Sequence, residues 1–220
     1  MKPTRTSRAK TTAEQAEDRL VFDRPFELQH YDLTQHAWLD SEHIHANINK
    51  AISTGGQSPN ASAHASRYIF RIRYHAALDD VRANPQRYRI RYGGEFYELA
   101  DYDDYNERRT IIKLTASKIR TGTIALISES TTTEDEIGQQ IKTETALDLP
   151  CIEYETTQDE RADAYQIDLM LAHRLRIFRA EYSGERRVMY DGKRYRIGSV
   201  RYVGDCVDLY LGERIGDLNA

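Results

Sequence analysis

The sequence has few residues suited to covalent or catalytic chemistry. Only two cysteines, Cys151 and Cys206, occur among the 220 residues, and they lie far apart without a CxxC pair. We expect both to be buried apolar thiols in a reducing compartment. GxGxxG, Walker, GxSxG and HExxH motifs are all missing, so no nucleophile, base and oxyanion site can be assembled from the sequence. We therefore predict a protein that is not an enzyme and that uses no cofactor.

Long apolar runs are missing as well. No stretch approaches the length of a membrane span, and the basic segment at residues 1–10 lacks the apolar core of a signal peptide. The net charge is −4, whereas dedicated nucleic-acid binders are usually basic. These features predict a protein that is made and kept in a cytoplasm, without membrane contact.

Residues that could bind a metal ion are sparse. His43 and His45 lie two positions apart, so on a strand they share one face, but the sequence offers no third and fourth ligand for zinc. Glu134, Asp135 and Glu136 lack the ligand spacing of a calcium loop. We therefore predict solvated histidines and a solvated acidic turn, with no metal site.

What the sequence does contain is a repeated β-hairpin. In residues 88–97, apolar and aromatic side chains alternate with arginines ahead of a Gly-Gly pair. Such alternation is typical of a half-buried strand, and adjacent glycines supply the positive φ angles of a two-residue turn. Residues 187–197 repeat the pattern with Asp-Gly in the turn. The predicted hairpin core consists of Tyr92, Gly93, Gly94, Tyr97, Tyr190, Asp191, Gly192 and Tyr195.

The repeat predicts two tandem units. We assign residues 19–120 to the first unit and 122–216 to the second, between a flexible basic arm at 1–18 and a tail at 217–220. Many short strands separated by turns predict an all-β fold with minor α content: two small antiparallel β-barrels, each with a short helix or long loop in a crossover. The short link at residues 118–123 predicts that the units are docked. The arm is either disordered or grips a neighbouring subunit or phosphates.

Several segments between the hairpins have their own predictions. Residues 43–52 fit a strand by alternation and also a helix by four-residue spacing. Residues 75–86 are predicted as a polar connection and 101–109 as a charged turn. Residues 141–145 and 149–154 are predicted as separate strands. A short helix is predicted within residues 158–171, where apolar side chains have helical spacing.

Two sets of residues are candidate functional surfaces. One is a long loop with almost no large apolar side chains, and loops of that length are usually functional or disordered. Its candidate residues are Ser53, Gly55, Gly56, Gln57, Ser58, Asn60 and Ser62. The other is a stripe of outward-facing arginines, which could bind phosphates but which the acidic net charge favours for pairing across strands or subunits. It consists of Arg71, Arg73, Arg87, Arg89 and Arg91.

Several short motifs of the β type recur along the chain. They lie at residues 70–74, 92–97, 103–108, 111–112, 123–130, 135–139, 190–197 and 208–210. Together they resemble head–tail joining, or head-closure, proteins of long-tailed bacteriophages. Trp38, a few residues after a turn, also fits the family, whereas residues 43–46 lack its Trp-Ala dipeptide. The resemblance extends over about residues 20–215 in two copies, although most members of the family carry one such unit.

This resemblance implies a structural virion protein. Members of the family are small β-barrels that form a ring below the portal, retain the packaged DNA and provide a docking surface for the tail. A loop of each subunit can act as a stopper, which we assign to residues 53–66, with residues 156–171 as the alternative. The implied partners are further copies of the chain in a ring of about six or twelve, a portal or adaptor protein, and a tail-completion or tail-tube protein. Genomic DNA in the channel is implied as a transient, non-specific contact.

Two other functions fit the same sequence. The chain could be a tail-completion or tail-terminator protein that caps the tail tube. It could also be a nucleic-acid-binding β-barrel protein that uses the five arginines of the stripe, in which case its binding must weaken steeply with salt.

Overall fold

Antiparallel strands make up most of the structure. The computed structural model describes residues 20–51, 66–104, 108–134, 140–165 and 169–214. The strands are β1 (Arg24–Asp32), β2 (Ala37–Lys50), β3 (Arg67–Arg73), β4 (Tyr88–Tyr92), β5 (Glu95–Asp104), β6 (Ile111–Glu134), β7 (Gln140–Tyr154), β8 (Leu169–Phe178), β9 (Arg187–Tyr190), β10 (Lys193–Val203) and β11 (Cys206–Arg214). Two short helices, α1 (Leu78–Ala83) and α2 (Gln158–Tyr165), and two 3-10 turns, Pro85–Arg87 and Arg179–Glu181, complete the described elements. The predicted all-β class with minor α content is confirmed.

The first six strands close into a ring of hydrogen-bonded neighbours. Their order is β3-β2-β1-β4-β5-β6, and the pairing of β3 with β6 closes the sheet. Alternate side chains point inward, including Leu28, Phe70, Ile90 and Leu114, each with no exposed surface. Phe26, Phe70 and the hairpin tyrosines extend this core with tilted ring contacts. The first half of the chain therefore has its own hydrophobic core.

The second half forms a closed sheet of the same kind. Its order is β6-β7-β8-β11-β10-β9, and the pairing of β6 with β9 closes it. The core is separate from the first and includes Leu126, Leu149, Leu175 and Leu209. When β6 to β11 are put in the places of β1 to β6, every pairing of the first sheet has its counterpart in the second. The two halves thus share one strand topology.

The repeated hairpins occupy equivalent surroundings in the two sheets. Tyr68 of β3 contacts the rings of Tyr92 and Tyr97, with centroids 6.3 and 5.4 Å away. His173 of β8 contacts Tyr190 and Tyr195 in the same way, at 5.0 and 5.2 Å. β3 and β8 are the third strands of their sheets, so the tyrosine repeat seen in the sequence is also a repeat of packing.

A single strand joins the two sheets, where a linker was predicted. β6 runs without interruption from Ile111 to Glu134. Its first part pairs with β3 and β5, and from Arg120 onward it pairs with β7. Residues 118–123 therefore join the two closed sheets as part of this strand, because they continue the hydrogen-bonding ladder from one sheet into the next. Gly122 lies within this stretch, and a Cβ there would come within 3.0 Å of the Tyr190 ring.

Other segments also differ from their predictions. Residues 75–86, predicted as a polar connection, contain α1. Leu78 and Val81 lie about one helical turn apart, so both side chains are on the same face of the helix and are buried against the first core. β5 continues to Asp104, into the predicted charged turn. The short helix predicted within residues 158–171 is α2, Gln158–Tyr165, whereas Leu169, which was counted on its apolar face, begins β8. Residues 43–50 are strand, and the alternate side chains of Ile44, Ala46 and Ile48 are buried.

β7 is one strand across the two segments that were predicted separately. It passes through Pro150, which pairs with Thr123 of β6. β8 pairs with β7 only over residues 152–154, so one edge of β7 is free at Pro150. Proline is tolerated at such an edge because its missing N–H interrupts no ladder there.

Both repeated hairpins have the predicted two-residue turns. Gly93 and Gly94 have φ angles of 62° and 80°, and Asp191 and Gly192 have 48° and 74°. Two successive positive φ angles define the type I′ turn that matches the twist of antiparallel strands.

Replacing Gly192 with alanine should therefore lower the free energy of unfolding by about 1 kcal/mol. A Cβ at this position meets no atom within 4 Å, so the cost comes from the backbone conformation alone. Equilibrium urea unfolding measures it, with Asp191→Gly as the control that should change stability by only a few tenths of a kcal/mol. A Gly192→Ala protein as stable as the parent would contradict the turn assignment.

Candidate assembly surfaces

An aromatic cluster joins the two closed sheets. Tyr31 of β1 stacks on Phe178 at the end of β8, with ring centroids 4.1 Å apart, and Trp38 of β2 meets Tyr31 edge-on at 5.2 Å. Leu33 and Cys206 pack against the same rings. Because Tyr31 and Phe178 are both buried, this contact fixes one sheet against the other.

A carboxylate completes this junction. Glu181 lies in the 3-10 turn after β8, and its Oε1 accepts a hydrogen bond from the Tyr31 hydroxyl at 2.5 Å and lies 2.9 Å from Nδ1 of His36. Burial, and then the bond to Glu181, raises the pKa of Tyr31 well above its ordinary value, so the phenol stays protonated and donates. The backbone amide of Asp205 also donates a hydrogen bond across the junction, to Oε1 of Gln86 at 3.0 Å. The junction is thus held by polar contacts as well as by rings.

The second sheet carries a buried ion cluster on the side that faces the first. Asp208 of β11 has no exposed surface and accepts hydrogen bonds from Arg176 Nε at 2.6 Å and Arg174 Nη2 at 2.8 Å. Burial alone would raise the pKa of Asp208, but the two guanidinium groups outweigh it and hold that pKa below its ordinary value of 3.8.

Hydrogen bonds extend this cluster toward both the first sheet and α2. Arg176 donates to the Tyr154 hydroxyl at 3.0 Å, and that hydroxyl donates in turn to Glu98 of β5. Arg174 also reaches Glu160 of α2 at 3.0 Å, and Tyr210 donates to the same carboxylate. One network therefore links α2, the second sheet and the first sheet.

A cleft of about 510 Å³ opens at the waist between the sheets. The first sheet contributes Trp38, Arg89 and Phe96 to its walls, and β6 and β7 contribute residues 121–123 and 148–150. The Arg89 guanidinium lies over both aromatic rings, 4.4 Å from the centroid of Trp38 and 4.0 Å from that of Phe96. A cation between two aromatic faces therefore forms part of the cleft surface.

β6 and β7 extend beyond the second closed sheet as a two-stranded arm. They pair from Arg120–Glu153 out to Glu134–Gln140, whereas β9 covers β6 only as far as Ile127. We call residues 128–134 and 140–146 the β6–β7 arm. Ion pairs anchor its base: Arg187 lies 2.7 Å from Glu129, and Arg194 lies 2.6 Å from Glu144. An isolated two-stranded hairpin is only marginally stable in water, so the arm gains most from a partner along its open edges.

The structure does not gather the predicted arginine stripe on one surface. Arg71 and Arg73 lie on β3, whose neighbours are β2 and β6, whereas Arg89 and Arg91 lie on β4, between β1 and β5. The two pairs are therefore on opposite sides of the first closed sheet. Arg91 pairs with Glu27 at 2.9 Å, and Arg87 approaches Asp205 at 3.9 Å.

Some predicted site residues lie outside the described residues. These are the loop residues from Ser53 to Ser62, the basic arm and part of the acidic turn. His43 and His45 are described and lie exposed on the outer face of β2. The described ranges contain no group of three or more His, Cys, Asp or Glu residues placed to hold a metal ion. Nor does any helix within those ranges have the length and apolar character needed to cross a membrane.

The two cysteines are free and buried, as predicted. Burial is the main cause that raises the pKa of Cys151 to about 12 and that of Cys206 to about 11. Both thiols therefore stay protonated near neutral pH, which makes them poor nucleophiles and poor metal ligands.

The sequence signals for the buried ion cluster were present but not decisive. Arg174 and Arg176 alternate with apolar residues on β8 in the same way as Arg89 and Arg91 on β4. Asp208 lies between two fully buried residues, Val207 and Leu209, so its side chain points away from the core. Only the pairing of β8 with β11 shows that these charges meet.

The first half of the chain matches a known protein family. The profile of the phage head completion protein family matches residues 16–119, just under half of the chain, which is the stretch that forms the first closed sheet. No curated protein matches the chain. The predicted resemblance to head-closure proteins is confirmed for this part of the sequence. Through residues 16–119 the chain is similar to the phage head completion proteins.

Proposed function

We propose that the chain is a ring-forming head-closure subunit that sits under the portal, retains the packaged DNA and offers a docking surface to the tail. The observation that carries the proposal is the family match of residues 16–119, extended by a second closed sheet of the same topology. A repeated unit gives each subunit two tiers. One tier would face the portal and the other the tail-completion or tail-tube protein.

The mechanism we propose is mechanical. Identical subunits that contact each other head to tail close into a ring when a whole number of equal rotations between neighbours adds up to one full turn. The buried junction fixes the angle between the two sheets, so it would also fix the distance between the two tiers of the ring. The net charge of −4 favours a passage along which DNA slides without binding tightly, because tight binding needs several cations at the phosphates.

We assign the stopper to residues 53–66 in the β2–β3 crossover, with the β7–β8 crossover as the alternative. These two crossovers take equivalent places in the two sheets, because each connects the second strand of its sheet to the third. In a ring, one of them would project into the passage and the other would meet a neighbouring protein.

We assign part of the contact between subunits to the β6–β7 arm. Its open edges can add to a sheet of the next copy, which satisfies backbone groups that the arm leaves unpaired. The polar sequence of the arm agrees with a contact made mainly through the backbone, because Ser, Thr and Glu dominate residues 128–134.

Shortening the arm should therefore abolish ring assembly while leaving the subunit folded. In the variant, Asn-Gly replaces residues 131–142, so that a two-residue turn directly joins the paired Ser130 and Thr143. We expect at least a tenfold loss of rings, measured by native mass spectrometry and negative-stain microscopy of the protein mixed with its portal.

The control keeps the arm and changes only its end. There, Asn-Gly replaces residues 135–139 between the paired Glu134 and Gln140, and rings should form as in the parent. A parent protein that stays monomeric with portal present would contradict the proposed function. Binding to the tail tube in place of the portal would favour the tail-completion role.

A further inference from the structure

The waist cleft holds a guanidinium whose charge has no direct partner among the described residues. Arg89 is only 8% exposed, and its two faces are covered by the rings of Trp38 and Phe96. Its Nε donates to Gln29 Oε1 at 2.7 Å. Within the described part of the chain, the two terminal nitrogens have no hydrogen-bond partner, yet they are not sealed from solvent and they open on the cleft.

The acidic residues nearby do not satisfy these nitrogens. Asp40 accepts a hydrogen bond from Gln29 Nε2 at 2.7 Å. Its carboxylate therefore connects to Arg89 only through the Gln29 side chain. Asp148 lies on the opposite wall of the cleft and is exposed. Burial and the neighbouring Arg91 lower the pKa of Arg89 to about 10, which still leaves it fully charged at neutral pH. A buried cation with free N–H groups is costly, and an incoming acceptor removes that cost.

The geometry favours a carboxylate over the phosphates of DNA. Rings above and below a guanidinium leave only its edge free, and that edge presents parallel N–H groups that match a carboxylate. A cleft of about 510 Å³ accommodates one side chain. A DNA backbone is bound by several cations together, whereas the cleft has a single arginine and two acidic neighbours.

We propose that the Arg89 cleft is a binding site for an acidic side chain, aspartate or glutamate, presented by a partner protein. Gln29 holds the guanidinium in place, and Trp38 and Phe96 keep it flat with its edge toward the opening. The site lies on both closed sheets at once, so its occupant would contact the first sheet, β6 and β7 together. The cleft exists within one subunit, so it can bind this side chain without ring formation.

The test is a titration of the isolated protein followed by the ¹⁵N NMR signal of the Arg89 side-chain Nε–Hε group. The probes are N-acetyl-glutamate amide, its neutral counterpart N-acetyl-glutamine amide, and dimethyl phosphate. We expect a saturable shift with the glutamate probe, no saturation with the glutamine probe, and at least fivefold weaker binding of dimethyl phosphate.

Two variants locate the binding at this arginine. Arg89→Lys keeps the charge but loses the parallel N–H edge, so it should weaken binding of the glutamate probe at least tenfold. This binding is followed by the NMR signals of the backbone amides of residues 121–123. Arg91→Lys, on the same strand, is paired with Glu27 and should bind as the parent does. If the Arg89→Lys protein does not fold, the three probes on the parent protein decide the question. No saturable shift, or tighter binding of dimethyl phosphate, would overturn the proposal.

Discussion

Replacing Asp208 with asparagine is expected to lower the free energy of unfolding at pH 7 by about 3–5 kcal/mol. Asp208 has no exposed surface, and it is the one carboxylate that Arg174 and Arg176 share. Asparagine keeps the shape but removes the negative charge, so two guanidinium groups remain largely buried, and only Arg174 retains a carboxylate, Glu160. Equilibrium unfolding in urea measures the loss.

The pH dependence of this loss separates the charge from the shape of the side chain. The pKa of Asp208 is lower in the folded protein than its ordinary value of 3.8, so its charge stabilises the fold fully above about pH 4. That contribution is lost as the pH falls through the folded-state pKa. The difference between the parent and Asp208→Asn should therefore be constant near neutral pH and shrink in strong acid.

A surface ion pair provides the control for this experiment. Asp103 lies 3.4 Å from Lys113, and the side chains of both are well exposed. Asp103→Asn should change the free energy of unfolding by about 0–1 kcal/mol, because solvent screens such pairs. Equal losses for Asp103→Asn and Asp208→Asn, or a loss for Asp208→Asn that grows in acid, would show that the buried cluster does not contribute as the structure indicates.

The comparison of the arginines shows how far the sequence predicts this structure. Alternation predicts that Arg89 lies on a strand and points away from a core, and the residues around Arg176 alternate in the same way. Their local sequences are alike, yet one guanidinium faces an open cleft and the other a buried carboxylate. The difference comes from the strands beside them, β1 and β5 for Arg89 and β11 for Arg176. Pairing of strands that are distant in sequence leaves no local pattern. The sequence therefore could not show that the arginines of the predicted stripe lie on different sides of the sheet.

The hairpin turns could be predicted from sequence, whereas the long strand shared by the two sheets could not. Gly93, Gly94 and Gly192 mark turns whose geometry depends on two residues, and the prediction from sequence was right. Residues 118–123 contain Gly122 and polar side chains, which look like a break. Their strand structure depends on partners in both closed sheets, and a Cβ at Gly122 would lie only 3.0 Å from the Tyr190 ring. Local chemistry thus predicted turns, whereas long-range pairing decided where one sheet ends and the next begins.

Replacing Phe178 with alanine is expected to separate the unfolding of the two sheets. Phe178 is buried and stacks on Tyr31, and its ring centroid lies 6.0 Å from that of Trp38. The substitution therefore leaves a cavity between the sheets and lowers the free energy of unfolding by about 3–5 kcal/mol. The two hydrophobic cores are separate clusters and remain intact. Differential scanning calorimetry should show one transition for the parent and two for Phe178→Ala, because the junction couples the cores.

An exposed aromatic residue on the same sheet serves as the control. Tyr202 is 55% exposed and contacts Arg179 through its ring, so Tyr202→Ala should cost about 1 kcal/mol or less and keep a single transition. One transition for Phe178→Ala, with a loss no larger than that of Tyr202→Ala, would mean that β6 alone couples the sheets. Two transitions would instead assign the coupling to the aromatic junction, and the junction would then be the element that fixes how the two tiers of a subunit are held in a ring.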